Sequence, residues 1–490
     1  MKLIFSNHSF VYEIEKLSAV FLPNVRFENA FQDEKIENED YIFTRISEHN
    51  DICSLEASVC LYGKCKTVEG TLPVASAEDE RERALAVCLY EALSFLTGYK
   101  AEWGILTGVR PAKLMSRLVE KDGEANAQAY FKNSLLVSED KTQLAATVAR
   151  AEDRIVRESK PDSFSLYVSI PFCPTRCSYC SFVSHSNMSA KKLIPQYVDL
   201  LCSEIEFCAQ QAKELGLRLE SIYYGGGTPT VLEPDLLEKV MHAVNSNFNL
   251  EHLREYTVEA GRPDSITPEK LAVIKKYGTT RISINPQTFE DEVLVEIGRK
   301  HTGAQTLEAF KLAREAGFTN INMDLIAGLP KDSVDGFNRT LETTLSLSPE
   351  SITVHTLALK RSSEIVTAGR DYNDALTVKA MLESVQNQLP EHAYKPYYMY
   401  RQSKTVGNME NVGWAKEGFE SLYNVYMMEE CHTVIGVGSA AVTKLKAPFS
   451  NLIERVFNFK YPYEYINRFD ELLERKQYIN QFYYDNPTTL

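Results

Sequence analysis

The chain has 490 residues, of which 44% are hydrophobic, so it is long enough to bury a separate core in each of two or three domains. Acidic residues outnumber basic ones, 67 to 53, and the resulting net charge of −14 disfavours nucleic acid and anionic membranes as partners. No apolar run approaches membrane-spanning length, and the first residues turn polar too soon for a signal peptide. We therefore expect a cytoplasmic protein whose ten cysteines stay reduced, without a disulfide framework.

Residues 1 to about 160 predict an amino-terminal α+β domain. We expect a strand at Lys2–Phe5 and another where apolar residues alternate before a turn, at Leu55, Ala57, Val59 and Leu61. A helix follows, with Ser76 as its N-cap and Gly98 at its end. A second helix carries one apolar face, formed by Leu144, Val148, Ala151 and Ile155. Three further cysteines of this region are interpreted as packing residues, namely Cys53, Cys60 and Cys65.

From residue 165 onward, short β-branched segments alternate with helical stretches. We predict strands at Ser165–Ile170, Ser221–Tyr224, Glu255–Glu259, Arg281–Asn285, Asn320–Ile326 and Ser351–Leu359. Strands separated by helices pair in parallel through right-handed crossovers, so six such units indicate a partial (β/α) barrel. In barrels of this kind the functional side chains lie at the carboxyl ends of the strands.

Three cysteines follow the first predicted strand within eight residues, at Cys173, Cys177 and Cys180. Three thiolates from one loop can hold three irons of a four-iron cluster and leave the fourth iron open to another ligand. Two alternatives stay open for this loop taken by itself. The thiols could be unliganded structural cysteines, or they could form a zinc site that His185 completes.

Polar or flexible residues follow the other predicted strands as well. A glycine run after the second strand lets a ligand approach the backbone, at Gly225, Gly226, Gly227 and Thr228. A zinc site predicts no such loop. Later strand ends offer two carboxylates, an amide and a cation, at Glu259, Gln287, Arg299 and Asp324. Asp324 stands within an apolar strand, where a carboxylate needs a buried partner.

The cysteine spacing, with an aromatic residue before the last cysteine, resembles the signature of the radical S-adenosylmethionine (SAM) superfamily. Five segments resemble its oxygen-independent coproporphyrinogen III oxidase family, namely Tyr167–Cys173, Cys177–Phe182, Gly225–Pro229, Arg281–Gln287 and Asp324–Pro330. Two more resemble the HemZ-type subgroup, at Trp103–Pro111 and Tyr398–Gln402. The decarboxylases of the family carry a further cysteine where this chain has Phe182 and a histidine where it has Ser169. The heme chaperones of the family also lack that cysteine.

This resemblance implies two cofactors, a [4Fe–4S] cluster and SAM. The cluster would be held by Cys173, Cys177 and Cys180. The glycine run would bind the amino group of SAM, and further SAM contacts are implied for Glu259, Gln287, Arg299 and Asp324. Tyr167 falls near the cluster-side tyrosine of the family.

The implied activity is the anaerobic oxidative decarboxylation of coproporphyrinogen III to protoporphyrinogen IX in heme biosynthesis. A 5'-deoxyadenosyl radical would take a hydrogen atom from a propionate β-carbon, and carbon dioxide and one electron would then leave. Arginines are natural partners for propionates, and the candidates are Arg110, Arg361 and Arg401. The alternatives are a heme-binding chaperone of the same family and a radical SAM methyltransferase that acts on heme.

The resemblance also gives the expected architecture, α/β with three domains. An amino-terminal α+β domain (residues 1–160) precedes a radical SAM partial (β/α)6 barrel (161–375), and a carboxyl-terminal α/β domain (376–490) covers the barrel mouth. A final helix is expected at Tyr463–Arg475. The expected partners are a tetrapyrrole, either coproporphyrinogen III or heme, and a flavodoxin or ferredoxin that donates electrons.

Overall fold

The structure is a computed structural model that describes residues 1–23, 25–32, 39–180, 185–186, 192–360, 363–402 and 404–488, with the backbone alone at 185–186. The chain divides into two compact units. The first contains Met1–Ala149 and Tyr400–Glu410, and the second contains Arg150–Met399 and Asn411–Leu490. The boundary expected near residue 375, between a barrel and a covering domain, stays a prediction.

The first unit is built on a five-stranded sheet with the strand order β2-β1-β3-β4-β5. These strands are β1 Lys2–Ser6, β2 Glu28–Phe31, β3 Tyr41–His49, β4 Ile52–Leu61 and β5 Lys64–Pro73. The helices are α1 Val11–Phe21, α2 Glu78–Thr97, α3 Pro111–Asp122, α4 Glu124–Asn133 and α5 Glu139–Val156. The alternating residues Leu55, Ala57 and Val59 share one core with Leu85 and Leu89 of α2. The expected β4 strand and both expected helices are therefore present.

Two details of this unit differ from expectation. The N-cap of α2 is Ala77, and no side chain caps the helix there, so the assignment of Ser76 as the cap is wrong. Ser76 lies one residue too early and takes part in the turn before the helix, where its amide donates to the Pro73 carbonyl. The expected helix end is confirmed, because Gly98 has the left-handed φ of 70°.

The hairpin between β4 and β5 carries a disulfide bond, Cys60–Cys65, with a Cα–Cα distance of 4.1 Å. The expectation that all ten cysteines stay reduced is therefore wrong for this pair. The two residues face each other directly across the hairpin, so the local geometry brings their sulfurs together. Cys53 is buried in the core under α2 and is free, as expected for a packing residue.

The second unit contains the predicted barrel strands. These are β6 Ser163–Ile170, β9 Arg218–Gly226, β10 Glu255–Glu259, β11 Arg281–Ser283, β12 Ile321–Ala327 and β13 Ser351–Thr356. They pair in parallel in the order of the chain. The helices between them are α6 Ile194–Glu214, α7 Pro234–Asn247, α8 Pro268–Lys276, α9 Asp291–Glu296, α10 Gly303–Glu315 and α11 Val334–Leu347. The partial (β/α)6 barrel is therefore confirmed.

The rest of the chain extends this sheet at both ends. Beyond β13 lie β15 Glu410–Ala415 and β14 Lys395–Arg401, and beyond β6 lie β16 Thr433–Val437, β17 Val442–Lys446 and β18 Ile453–Phe457. The remaining helices are α12 Glu364–Thr367, α13 Ala375–Glu391, α14 Leu422–Glu429, α15 Pro462–Asn467, α16 Phe469–Lys476 and α17 Tyr478–Asp485. The single helix expected at Tyr463–Arg475 is wrong, because Arg468 (φ −124°, ψ 34°) separates α15 from α16. In the described part of the chain, no helix has the length and apolar character that a membrane span needs.

Side chains alternate along the barrel strands between an apolar and a polar face. The apolar face packs against the helices, with Leu166, Val168, Ile222, Val258 and Ile282 among its members. The polar face lines the barrel interior, where hydrogen bonds join Ser165 to Ser221, Tyr223 to Glu259, and Asn322 to Ser283. Each of these bonds links two different strands. The barrel interior is therefore a polar, hydrogen-bonded surface that extends along the strands to their ends.

A short two-stranded pairing follows β6. Its strands are β7 Phe172–Cys173 and β8 His185–Ser186, which run in parallel. The predicted cluster loop therefore begins in a β-strand, because its first cysteine, Cys173, is part of β7.

Candidate functional site

Backbone hydrogen bonds hold the loop that carries the three cysteines. Cys173 ends β7, and the amide of Cys180 donates to the carbonyl of Cys177 over 3.1 Å. The amide of Ser178 donates to the carbonyl of Ile297 over 3.0 Å, which ties the loop to the end of α9. None of the three cysteines takes part in a disulfide bond, and all three are partly exposed. The loop therefore presents three accessible sulfurs at the carboxyl end of the first barrel strand.

A mononuclear zinc site requires its ligands at about 2.0–2.3 Å from one point. Among the residues that the structure describes, no three His, Cys, Asp or Glu side chains are grouped in that way. The side chain of His185, the fourth ligand of the zinc interpretation, lies outside the described residues. An iron–sulfur cluster sets a different requirement, because each thiolate binds a different iron.

The glycine run is joined directly to the start of the cysteine loop. The Gly227 amide donates to the Ile170 carbonyl and the Thr228 amide to the Phe172 carbonyl, each over 2.8 Å. A Cβ atom on Gly227 would lie 2.5 Å from the Phe172 carbonyl oxygen, so only glycine fits. The Thr228 hydroxyl donates to the Cys173 sulfur over 3.6 Å. The two sequence motifs therefore form one continuous site.

Glu259, at the end of β10, lies next to the glycine run. Its carboxylate accepts a 2.6 Å hydrogen bond from the Tyr223 hydroxyl, and a Cβ atom on Gly225 would lie 3.3 Å from its carboxyl carbon. Burial raises the pKa of Glu259 to about 7, although the hydrogen bond from Tyr223 acts in the other direction. Close to neutral pH, Glu259 can therefore be present either as the acid or as the carboxylate.

Three tyrosine rings stack inside the barrel beside Glu259. Tyr167 of β6 lies 6.2 Å from Tyr223 and 6.1 Å from Tyr423 between ring centroids, and Tyr223 lies 4.4 Å from Tyr423. All three pairs are stacked, with interplanar angles of 22° or less. Burial raises the pKa of each phenol, so all three stay protonated at neutral pH. The stack forms an apolar wall close to the candidate site.

Gln287 and Asp324 come together through the backbone. Gln287 has the left-handed φ of 68°, and its amide donates to the Asp324 carbonyl over 2.9 Å. Its side-chain Oε1 is buried and has no hydrogen-bond partner among the described residues. A buried amide oxygen of this kind is available to a ligand that brings a donor.

The Asp324 carboxylate has the partners that its position demands. Asn322 donates to it over 2.7 Å, and His355 Nε2 lies 3.7 Å from its second oxygen. Burial tends to raise the pKa of Asp324, but the hydrogen bonds from His355 and Asn322 outweigh it and hold that pKa below its ordinary value. Asp324 therefore stays ionised and can accept hydrogen bonds from hydroxyl or ammonium groups.

Arg299 connects the cysteine loop to two neighbouring backbone segments of the barrel. Its guanidinium donates to the Tyr179 hydroxyl over 3.1 Å, to the Gly261 carbonyl over 2.7 Å and to the Asn285 carbonyl over 2.8 Å. Tyr179 is the aromatic residue before the last cysteine of the loop. These contacts use most of the donors of Arg299, and its direct contact with SAM stays a prediction.

Two of the three arginines predicted to bind propionates lie on neighbouring segments, because the Arg401 amide donates over 2.8 Å to the carbonyl of Val109, the residue before Arg110. Arg361 lies outside the described residues. Arg110 is the N-cap of α3 in the first compact unit. Arg401, also in that unit, donates to the carbonyls of Leu106, Gly108 and Asn408 and is 2% exposed. The contacts of Arg401 favour a structural role, and its binding of a propionate stays a prediction.

Two groups of this site were not found from the sequence. Tyr423 lies in α14, far along the chain from the other two rings of the stack, and no local pattern connects it to them. Arg262 and Asp264 follow β10 and form an ion pair of 2.9 Å beside the cysteine loop, in which Arg262 is buried and Asp264 is partly exposed. A buried Arg two residues before an Asp in a Gly-Arg-Pro-Asp segment gives a weak signal at best, because most such pairs are solvated.

Comparisons with known proteins agree with this geometry. The model of the radical SAM superfamily matches residues 167–344. The oxygen-independent coproporphyrinogen-III oxidase-like protein HemZ of Bacillus subtilis is 41% identical over 396 residues, 79% of this chain and 79% of that protein. The heme chaperone HemW of Bacillus subtilis is 33% identical over 281 residues, 56% of this chain and 70% of that protein.

One solved structure also matches. The structure of the coproporphyrinogen III oxidase HemN from Escherichia coli, described as a radical SAM enzyme, covers 66% of this chain and 72% of its own at 24% identity. The TM-score is 0.51. This likeness shows a shared fold over the matched part of the chain.

The residues present fit the two cofactors of the superfamily, a [4Fe–4S] cluster and SAM. Three cysteines on one loop, none of them in a disulfide bond, match the three protein ligands of such a cluster. The unpartnered oxygen of Gln287 and the ionised carboxylate of Asp324 lie at the strand ends of the same barrel and match the hydroxyl and ammonium donors of SAM.

Proposed function

Because the chain belongs to the radical SAM oxygen-independent coproporphyrinogen III oxidase family, and to its HemZ-type subgroup, we propose that it converts coproporphyrinogen III to protoporphyrinogen IX without oxygen. The observation that carries this proposal is the direct joining of the cysteine loop to the glycine run. Thr228 contacts Cys173, and Gly227 packs on the backbone just before that cysteine. A cluster ligand and a SAM-binding loop are thereby held at a fixed separation.

Each group of the site has a task in this proposal. Together the bound cluster and SAM supply a 5'-deoxyadenosyl radical as the hydrogen-atom acceptor. Cys173, Cys177 and Cys180 hold the cluster, and the backbone of the glycine run accepts hydrogen bonds from the amino group of SAM. Glu259, Gln287 and Asp324 bind and orient its hydroxyl and ammonium groups. The stacked tyrosine rings exclude water from the site.

The proposed substrate reaction removes one hydrogen atom, one carbon dioxide and one electron from each of two propionates, which leaves two vinyl groups. The electron that each decarboxylation releases must pass to an acceptor, which is either a small molecule or a protein. A flavodoxin or ferredoxin is the proposed electron donor that reduces the cluster. Arg110 and Arg361 are the proposed partners of the substrate carboxylates.

A heme-binding chaperone is the second candidate. It is supported by the 33% identity to the heme chaperone HemW and by Phe182, which stands where the decarboxylases of the family carry a further cysteine. A chaperone would bind heme in a stoichiometric complex and release no decarboxylated porphyrin.

Anaerobic turnover separates the two candidates. The protein is reconstituted with iron and sulfide and given reductant, SAM and coproporphyrinogen III, and 5'-deoxyadenosine and protoporphyrinogen are followed by mass spectrometry. We expect both products from the wild type, a loss of about a hundredfold or more in Cys177→Ala, and little change in the matched control Cys202→Ala on α6. 5'-Deoxyadenosine without any decarboxylated porphyrin contradicts the proposed substrate, and heme titration of the same protein is then the test of the chaperone.

A further inference from the structure

Arg262 is a buried cation that points at the cysteine loop. It follows β10, is 4% exposed, and donates from Nη1 to the Thr175 hydroxyl over 3.0 Å. The same nitrogen lies 3.9 Å from the sulfur of Cys177, within the range of a hydrogen bond to sulfur. Thr175 lies between Cys173 and Cys177, so Arg262 contacts both the middle of the loop and one of its thiols.

Asp264 fixes the orientation of this guanidinium. Its two oxygens accept from Nε and Nη2 of Arg262, each over 2.9 Å, which is the paired geometry that arginine and carboxylate favour. Burial tends to raise the pKa of Asp264, but the hydrogen bonds from Arg262 hold it below its ordinary value, so both groups are charged. The remaining edge of the guanidinium is thereby directed to Thr175 and Cys177.

A fixed cation beside a cluster thiolate has a predictable electrostatic effect. Reduction adds one negative charge to an iron–sulfur cluster, and a nearby positive charge or an N–H donor to sulfur stabilises the reduced form. Because Arg262 itself is buried, this effect is screened less than between two exposed charges. The aspartate at the far side of the guanidinium reduces the effect but does not cancel it, because it lies farther from the sulfur.

We propose that Arg262 raises the reduction potential of the cluster held by Cys173, Cys177 and Cys180, and that Asp264 is the positioning residue that aims it. This inference rests on the proposed function through the cluster alone and needs neither SAM nor the tetrapyrrole. In the step concerned, one electron passes from an external reductant to the oxidised cluster, and no bond is made or broken.

A redox titration followed by electron paramagnetic resonance tests this proposal. The full chain is reconstituted anaerobically without SAM and titrated with dithionite and mediators. In Arg262→Gln we expect the ratio of reduced to oxidised cluster, at a fixed solution potential, to fall about tenfold, which is about 59 mV for one electron. Asp264→Asn keeps an acceptor for Arg262 but removes the negative charge, so the ratio should rise severalfold.

The matched control is Arg339→Gln, which breaks an exposed Arg–Glu pair with Glu290 in the same compact unit and should leave the ratio unchanged. If the ion pair had a purely structural role, Arg262→Gln and Asp264→Asn would change the ratio of reduced to oxidised cluster in the same direction. That result overturns the proposal. If the Arg262→Gln protein does not assemble a cluster, Arg262→Lys, which keeps the positive charge, takes its place. Asp264→Asn still tests the sign of the change in the ratio of reduced to oxidised cluster.

The outcome also separates this inference from the proposed function. A wild-type cluster that cleaves SAM, with a potential unchanged in both variants, overturns the role of Arg262 and leaves the function standing. A wild type that binds no iron and sulfide at all overturns both.

Discussion

The environment of Glu259 sets its pKa far from the ordinary value of a glutamate. It lies partly buried at the end of β10, next to the glycine run, and its one phenolic donor, Tyr223, offsets only part of the cost of burial. The neighbouring Asp324 has an imidazole and an amide as partners and stays ionised. Two carboxylates of one barrel therefore differ in charge state near neutral pH because their partners differ.

The raised pKa of Glu259 predicts a pH dependence of stability. Since the folded-state pKa of about 7 exceeds the ordinary value of 4.5, the folded protein binds the proton more tightly, and this stabilisation is full below about pH 4.5 and lost as the pH rises through about 7. Relative to Glu259→Gln, the wild type should lose stability on the order of 1 to 3 kcal/mol between pH 5 and pH 8. Thermal unfolding of both proteins across this range measures the difference.

Glu290→Gln is the control for this prediction. Glu290 is a partly exposed carboxylate paired with the exposed Arg339, and its replacement should leave the pH profile of the wild type unchanged in shape. Parallel profiles for the wild type and Glu259→Gln would contradict the assigned pKa.

At the level of single elements, the barrel strands could be predicted because their apolar face is rich in β-branched residues. All six expected strands are present, with ends that differ by a few residues. The strand expected to reach Asn285 ends at Ser283, because Pro286 lacks an amide donor and Gln287 takes a left-handed conformation. The strand expected to reach Leu359 ends at Thr356. Local residue preferences therefore predict that a strand exists more reliably than where it ends.

The candidate site could be predicted in part for the same reason. Cysteine spacing and a glycine run are local signals, and the structure joins them through Thr228 and Cys173. Arg262 and Tyr423 act through contacts between residues distant in the chain, which no single segment shows. The proposed roles of the SAM-contacting residues stay predictions.

The contact between the glycine run and the cysteine loop predicts a severe effect of one methyl group. In Gly227→Ala the new Cβ would lie 2.5 Å from the Phe172 carbonyl and 2.8 Å from the Ile170 carbonyl, and neither backbone atom can move aside without moving the cluster loop. We expect a loss of about 1–3 kcal/mol in stability and a clearly lower iron content after reconstitution. Thermal unfolding and iron analysis measure these two effects.

Gly108→Ala is the matched control, because its Cβ would have only one neighbour, a Leu106 methyl group at 3.9 Å. It should bind as much iron as the wild type. Full iron loading of Gly227→Ala would show that the loop tolerates displacement.

At the scale of the whole molecule, the carboxyl-terminal segments are part of the barrel sheet. β16 pairs in parallel with β6, although most of the barrel lies between them in the chain. The glycine turn after β16 packs closely on the end of β6, where a Cβ on Gly438 would lie 2.5 Å from the Ser169 carbonyl. This pairing was not predicted from the sequence, because the register of distant strands depends on long-range packing and not on local preference.

A buried ion pair holds this carboxyl-terminal region against α6. Lys476 and Glu204 are fully buried, 3.4 Å apart, and Glu204 also accepts from Tyr465 and from the Gly438 amide. In Lys476→Met the charge of Glu204 loses its cation, so we expect a loss of about 3–5 kcal/mol. Chemical denaturation followed by tyrosine fluorescence measures it.

Lys239→Met is the control, since it removes an exposed pair with Asp199 and should cost less than about 1 kcal/mol. Equal stability of Lys476→Met and the wild type would contradict the stabilising role of this ion pair.

The division of the chain into its two units has a consequence for synthesis on the ribosome. The first unit contains Met1–Ala149 but also Tyr400–Glu410, and the carboxylate that neutralises its buried Lys141 belongs to Glu410. Domains usually fold in the order in which they emerge from the ribosome. Here the segment translated first remains incomplete, with Lys141 lacking its partner, until all six barrel strands have been translated.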